Sequence, residues 1–272
     1  MSHDTDAGAI DAGAVDELLR DAAFGAHPGC YPLPAATTPE NRWWRAVALG
    51  GQGRYAAADS ELRVLVRQPT GARLVSLAAS TRGSHLRQLG RHAAARPLDA
   101  RALVEATRTS APAADAWCDA LLGLAADALG GSQTGLARRL LARCEPSLDA
   151  AGWRCRLRWH WVSAETALCD GAVAKARVQA EQGAQLTRKC PSVRHQVKSQ
   201  LVHAAALGPD GGAELAAELV VQAQAHGLLP LQWASMMLLK ALTVSSGARE
   251  GELDAMLDSA AELLARRGGV LG

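Results

Sequence analysis

Apolar residues recur along this chain at helical spacing, interrupted by glycine and proline, and no stretch alternates with period two. The pattern predicts an all-α protein. A first amphipathic helix is expected over 10–24, on Ile10, Ala14, Val15, Leu18, Leu19 and Ala22, with acidic residues in its early turns. The segment 27–39 holds four prolines and a glycine and reads as an extended strap. Thr38-Pro39-Glu40 then spells a helix start, a capping hydroxyl before a first-turn proline and an acid. Helices are expected from there to Gly50-Gly51, then over 54–67, 71–89, 91–107, 110–130 and 134–144. A long helix over 148–169 follows, then helices over 172–188, 192–206, 212–226, 229–245 and 249–267. The organisation expected is a polar tip and helical arm over 1–26, the strap over 27–38, and about six helix pairs over 39–268.

A second pattern runs through these helices. Ala46, Gly83 and Ala164 are each followed three residues later by an apolar residue, seven later by Gly53, Gly90 or Gly171, and twelve later by Ala58, Ala95 or Ala176. A helix, a glycine turn and a second helix packed through alanine are thus repeated at a period near forty. A pair so built leaves apolar surface that only stacking on its neighbours buries.

Composition narrows the function classes. The formal net charge is +2 over 272 residues, so bulk electrostatics gives no reason to expect nucleic acid as a direct partner. Arginine far outnumbers lysine, which follows from GC-rich codon usage or from selection for bidentate pairing with carboxylate and phosphate. The six cysteines include no C-x-x-C pair, and neither a disulfide framework nor a zinc site is expected. The acidic N-terminal stretch is unlike a signal peptide and no apolar run is long enough for a bilayer, so a soluble cytoplasmic protein without a membrane partner is expected. The histidines stand at neither metal nor triad spacing, and phosphate loops, nucleophile elbows and HExxH motifs are absent. The expectation is a non-catalytic chain with no cofactor and no metal.

The segments GQGRYAAADSELRVLVRQP (51–69), QLGRHAAARPLD (88–99) and ALCDGAVAKARVQA (167–180) resemble the second half of a tetratricopeptide repeat: glycine turn, aromatic or its substitute, alanine, apolar residues. The resemblance covers roughly 40–245. Ala58 and Ala95 stand 37 apart, and Ala95 and Ala176 stand 81 apart, against about 34 per repeat in the standard family. Longer repeats of this kind resemble the helical-repeat domains of large bacterial signal-responsive transcription regulators.

The resemblance implies a right-handed superhelical stack whose first helices line a concave groove. It places Trp43 and Val47, Ser80 and Ser84, and Trp161 and Glu165 on that groove, with Arg87 and Gln88 facing the same way. Trp43 and Trp161 then share one repeat position, either as exposed anchors beside Arg42, Arg45 and Arg158 or as core indoles with a polar tip. In WRCRLRWHW (153–161) the alternation of arginine and tryptophan is spread around a helix and makes no single basic stripe. The function implied is a protein-binding adaptor or regulatory scaffold that takes a peptide or partner helix in the groove. The alternatives are a transcription-linked sensor of a small effector, and a homo-oligomer formed through the arm. The arm itself is expected either to cap the first pair or to fold into the groove as a lid.

Overall fold

The computed structural model describes residues 11–108, 113–243 and 247–272, with side chains left undescribed over 247–250. The polar tip over 1–9 and the helix start at Ser110 and Pro112 lie outside the described residues. Those residues form no strand. They fold into α1 (Ala12–Phe24), α2 (Pro39–Gly51), α3 (Tyr55–Arg67), α4 (Ala72–Gln88), α5 (His92–Ala106), α6 (Ala114–Gly130), α7 (Thr134–Cys144), α8 (Leu148–Ala151), α9 (Trp153–Cys169), α10 (Val173–Thr187), α11 (Val193–Leu207), α12 (Pro209–Ala225), α13 (Leu229–Leu242) and α14 (Gly247–Arg266). Thr38 caps α2 as expected, its hydroxyl accepting from Asn41 N at 3.1 Å.

Boundaries differ from expectation at three places, one of them the end of α13 at Leu242 and not at 245. The long helix over 148–169 is broken at Gly152, whose φ of 84° lies in the left-handed region, so that α8 and α9 meet at an angle. α12 starts early, at Pro209, but Asp210 and Gly211 carry non-helical torsions that kink its first turn.

The packing is sequential. α2, α4, α6, α9, α11 and α13 each touch the next of their series, while α3, α5, α7, α10 and α12 pack between successive members. The small residues of the repeat are all interior: Ala46, Ala58, Ala95, Ala164 and Ala176 are fully buried. Among the described residues one turn recurs six times. Arg54, Arg91, Gln133, Ala172, Leu228 and Gly269 each donate from the backbone to the carbonyl five residues earlier, at 2.8–2.9 Å, across a residue with positive φ. This is the helix-ending 6→1 bond that satisfies a carbonyl left over by the last turn. At five of the six turns the positive-φ residue is glycine; at the α6–α7 turn it is Ser132. The repeat missing between Ala95 and Ala176 is therefore Ala125, Ser132 and Ala137, with both alanines fully buried.

The chain also returns on itself. α13 touches α2, Ala56 N donates to Arg267 O at 3.0 Å, and Gly272 N donates to Leu89 O at 2.8 Å. Tyr55 and Leu89 from the first pairs share one apolar cluster with Leu229, Met236, Leu257 and Leu264 from the last. This contact buries the surface that an open stack would leave bare at each end.

Candidate functional site

The central site begins with the inward residues of five helices. Trp43, Val47 and Gly51 from α2, Ser80, Thr81, Ser84, His85 and Gln88 from α4, Asp119 from α6, Arg154, Arg158 and Trp161 from α9, and Arg194 and His195 from α11 enclose a cavity of about 90 Å³. Phe24, the last residue of α1, also lines it. Six of the eight groove residues expected from sequence thus converge on one space: Trp43, Val47, Ser80, Ser84, Gln88 and Trp161.

The other two lie elsewhere. Arg87 pairs with Asp99 and, at 3.1 Å, with Asp127, in a buried network between α4, α5 and α6. Glu165 accepts from Lys198 Nζ at 3.1 Å. The arginines expected around an exposed Trp43 are also turned away from it: Arg42 and Arg45 both bind Glu61 on α3. Trp43 is itself buried, its Nε1 donating to Thr81 Oγ1 at 3.0 Å. Trp161 is partly buried and donates to Ser199 Oγ at 2.8 Å. Both indoles therefore wall the cavity with their polar tips already satisfied, and neither is a free exposed anchor.

Glycines make the crowding possible. A Cβ at Gly51 would stand 2.9 Å from Arg194 Cδ, and one at Gly50 would collide with the His85 ring. The Gly50-Gly51 pair, which ends α2 as expected, also admits two side chains to the centre.

Charge in the cavity is unbalanced. Its lining holds three guanidinium groups and one carboxylate. Asp119 binds both Arg154, at 2.5 Å, and Arg158. Burial alone would raise its pKa, but the two guanidinium groups outweigh burial and hold it below the usual carboxylate range. Among the described residues, Arg194 has no carboxylate partner. Its one hydrogen bond is a long contact, 3.5 Å, from Nη2 to Ala23 O, and its Nε is shielded from solvent with no partner. Burial, together with Arg154 and Arg158, pushes Arg194 down to about 10. The Ser80 hydroxyl, also shielded, is likewise without a partner.

The two histidines do not add charge. Burial, then the nearby arginines, lower His195 well below its ordinary value, and burial and Arg194 take His85 down to about 3. His195 is held by Ser192 Oγ at 2.8 Å from Nδ1 and stacks on Trp161 with ring centres 5.7 Å apart.

The arm is built into the wall. α1 packs on α2 through Val15 and Leu19, Asn41 Nδ2 donates to Asp16 at 2.7 Å, and Val193 N donates to Gly25 O at 3.1 Å. Its Phe24 ring lies 5.4 Å from Trp43, and the Arg154 guanidinium stands 5.7 Å from both rings. The strap is tied at Gln52, whose Nε2 donates to Pro28 O and Cys30 O at 2.8 and 2.9 Å. α1 thus caps the first pair and also delivers its last residue to the centre. A second, open cleft of about 1000 Å³ lies between α1, α2 and the Gly152 bend, and Phe24, Trp43 and Arg154 line both cleft and cavity.

Sequence reasoning missed Phe24, Asp119, Arg154, Arg194 and His195 as site residues. One signal was present: Arg154, Arg158 and Trp161 stand at i, i+4 and i+7, one helix face, while the intervening Arg156 turns out to Asp149. Among the described residues no group of histidine, cysteine or acid has the geometry to hold a metal ion, and no helix is long and apolar enough to cross a membrane. Comparison with protein-family models, with curated proteins and with solved structures finds no match to this chain.

Proposed function

We propose that this chain is a non-catalytic regulatory adaptor of tetratricopeptide-like, right-handed superhelical architecture, whose groove takes a partner helix at the place its own arm now fills. The supporting observation is the occupant. A 13-residue amphipathic helix sends a single aromatic anchor, Phe24, between Trp43, His195 and Arg154, which is how a helix is seated in a groove. A partner segment of the same kind competes with the arm, and tethering gives the arm a high effective concentration. Binding is thereby held off until the arm is displaced.

The test uses a fluorescent peptide of residues 11–38 added to the full chain. Wild type is expected to bind it weakly, because the tethered arm competes, and Phe24→Ala is expected to bind it at least tenfold more tightly. Equal, negligible binding by both proteins overturns the reading of the groove as a helix site. A second reading, a sensor of a small effector, is favoured by the unbalanced arginines of the cavity.

A further inference from the structure

We infer that the central cavity is a binding site for a compact oxyanion (a phosphate, a sulfate or the carboxylate of a small acid), held by Arg194 with the Ser80 hydroxyl and the free edges of Arg154 and Arg158. This goes beyond the partner-helix reading and does not depend on it, because it concerns the cavity and not the faces of α2 and α11 that α1 covers.

Four observations carry it. The lining holds three guanidinium groups against one carboxylate, an excess of two positive charges in a confined space. The surrounding acids are already engaged: Asp119 with Arg154 and Arg158, Asp115 with Arg73, Asp59 with Arg63 and Arg82, Glu165 with Lys198. Two shielded polar atoms on the lining, Arg194 Nε and Ser80 Oγ, have no partner among the described residues, and a shielded polar group is normally satisfied. The volume, about 90 Å³, suits a compact oxyanion and excludes a nucleotide or a peptide.

A guanidinium offers donors in a planar fork matched to two oxygens of one anion, so a single oxyanion satisfies Arg194 and reduces its repulsion with Arg154 and Arg158 together. The two neutral histidines and the indoles supply uncharged walls beside the three guanidinium groups. Phe24, Trp43 and Arg154 line both the cavity and the open cleft.

The experiment is isothermal titration of the full chain with inorganic phosphate, sulfate and succinate, each at constant ionic strength set by chloride. Saturable binding of one equivalent is expected for at least one of them. The tightest binder separates the sources: phosphate or sulfate assigns a tetrahedral oxyanion, succinate a carboxylate. Arg194→Gln is expected to weaken that binding at least tenfold, while Arg138→Gln, which alters a distant exposed arginine, leaves it unchanged. If Arg194→Gln is not soluble, Ser80→Val replaces it, removing the hydroxyl and filling the space, with the same tenfold loss expected. No saturable binding of any of the three anions overturns the inference, and so does undiminished affinity in the soluble variant.

Discussion

Trp161 Nε1 donates to Ser199 Oγ at 2.8 Å, from α9 to α11, across 38 positions of sequence. Trp43 Nε1 makes the corresponding bond to Thr81 Oγ1, from α2 to α4, also across 38 positions. The same indole-to-hydroxyl bond therefore ties two different pairs of successive lining helices, and the tryptophans are repeat-level structural residues as well as cavity walls. Ser199→Ala leaves the Trp161 N–H without its partner and is expected to cost about 1–3 kcal/mol. Thr81→Val should cost a similar amount by the same mechanism. Urea unfolding of the two single variants and their double measures both; a loss confined to Trp43 would deny the equivalence of the two positions.

Ser132 and Gly171 occupy the same turn position, with φ of 57° and 71°. Left-handed backbone costs a residue with a Cβ about 1–2 kcal/mol, and glycine pays none of it. Ser132 is exposed, and nothing stands within 4 Å of where a Cβ would lie at Gly171. Ser132→Gly is therefore expected to stabilise the protein, by about 0.5–1 kcal/mol once glycine's greater unfolded freedom is subtracted. Gly171→Ser is expected to destabilise by about 1 kcal/mol. Opposite shifts in the urea midpoint would confirm that the two turns are the same element.

Much of the fold was legible because it rests on local signals. The Thr38 cap, the glycine turns at Gly53, Gly90 and Gly171, and the buried alanines each follow from one residue's size or torsional freedom. The repeat centred on Ser132 was hidden because a serine holds a glycine's conformation there, which no spacing rule reports. The α8–α9 break was missed because Gly152 sits in an otherwise helical run and isolated glycines are tolerated in helices. The cavity lining was legible in outline, through the repeat position shared by Trp43 and Trp161. Its charge was not. Arg194 belongs to the centre only because the chain returns on itself and because Gly51, 143 positions earlier, lacks a side chain.

His85 and His195 set the acid limb of stability. Both are buried and neutral in the folded state with depressed pKa, whereas in the unfolded chain they titrate near their ordinary value, about 6.5. Their contribution is complete above pH ~6.5 and is lost as pH falls toward the folded values, at up to about 1.4 kcal/mol per unit for each. Asp99 acts oppositely: burial pushes its carboxyl up to about 7 despite Arg87, so its native state gains protons the unfolded state lacks as pH falls from about 7 toward 4. Two histidines outweigh one acid, and stability is expected to fall between pH 6.5 and 5. His195→Gln should flatten that fall; an unchanged slope of unfolding free energy against pH would show that His195 is not held neutral.

Asp99 offers the most specific test of the small residues in the lining series. Its carboxylate lies between α4 and α6, where a Cβ at Gly83 would collide with Oδ2 and one at Gly123 would collide with Oδ1. The two glycines thus make the pocket that lets a buried carboxylate reach Arg87. Gly123→Ala forces either the helix or the carboxylate to move, and is expected to cost about 1–3 kcal/mol by overpacking. Asp99→Ala alone is also costly, because Arg87 then keeps only Asp127 as its counter-charge. In the Asp99→Ala background, however, Cγ and both carboxylate oxygens that clash with the added methyl group are gone, so Gly123→Ala should become nearly neutral there. A double-mutant cycle reads this as a coupling of about 1–3 kcal/mol. Additive losses would mean that Gly123 is small for helix packing alone, and that the carboxylate is not what its missing side chain accommodates.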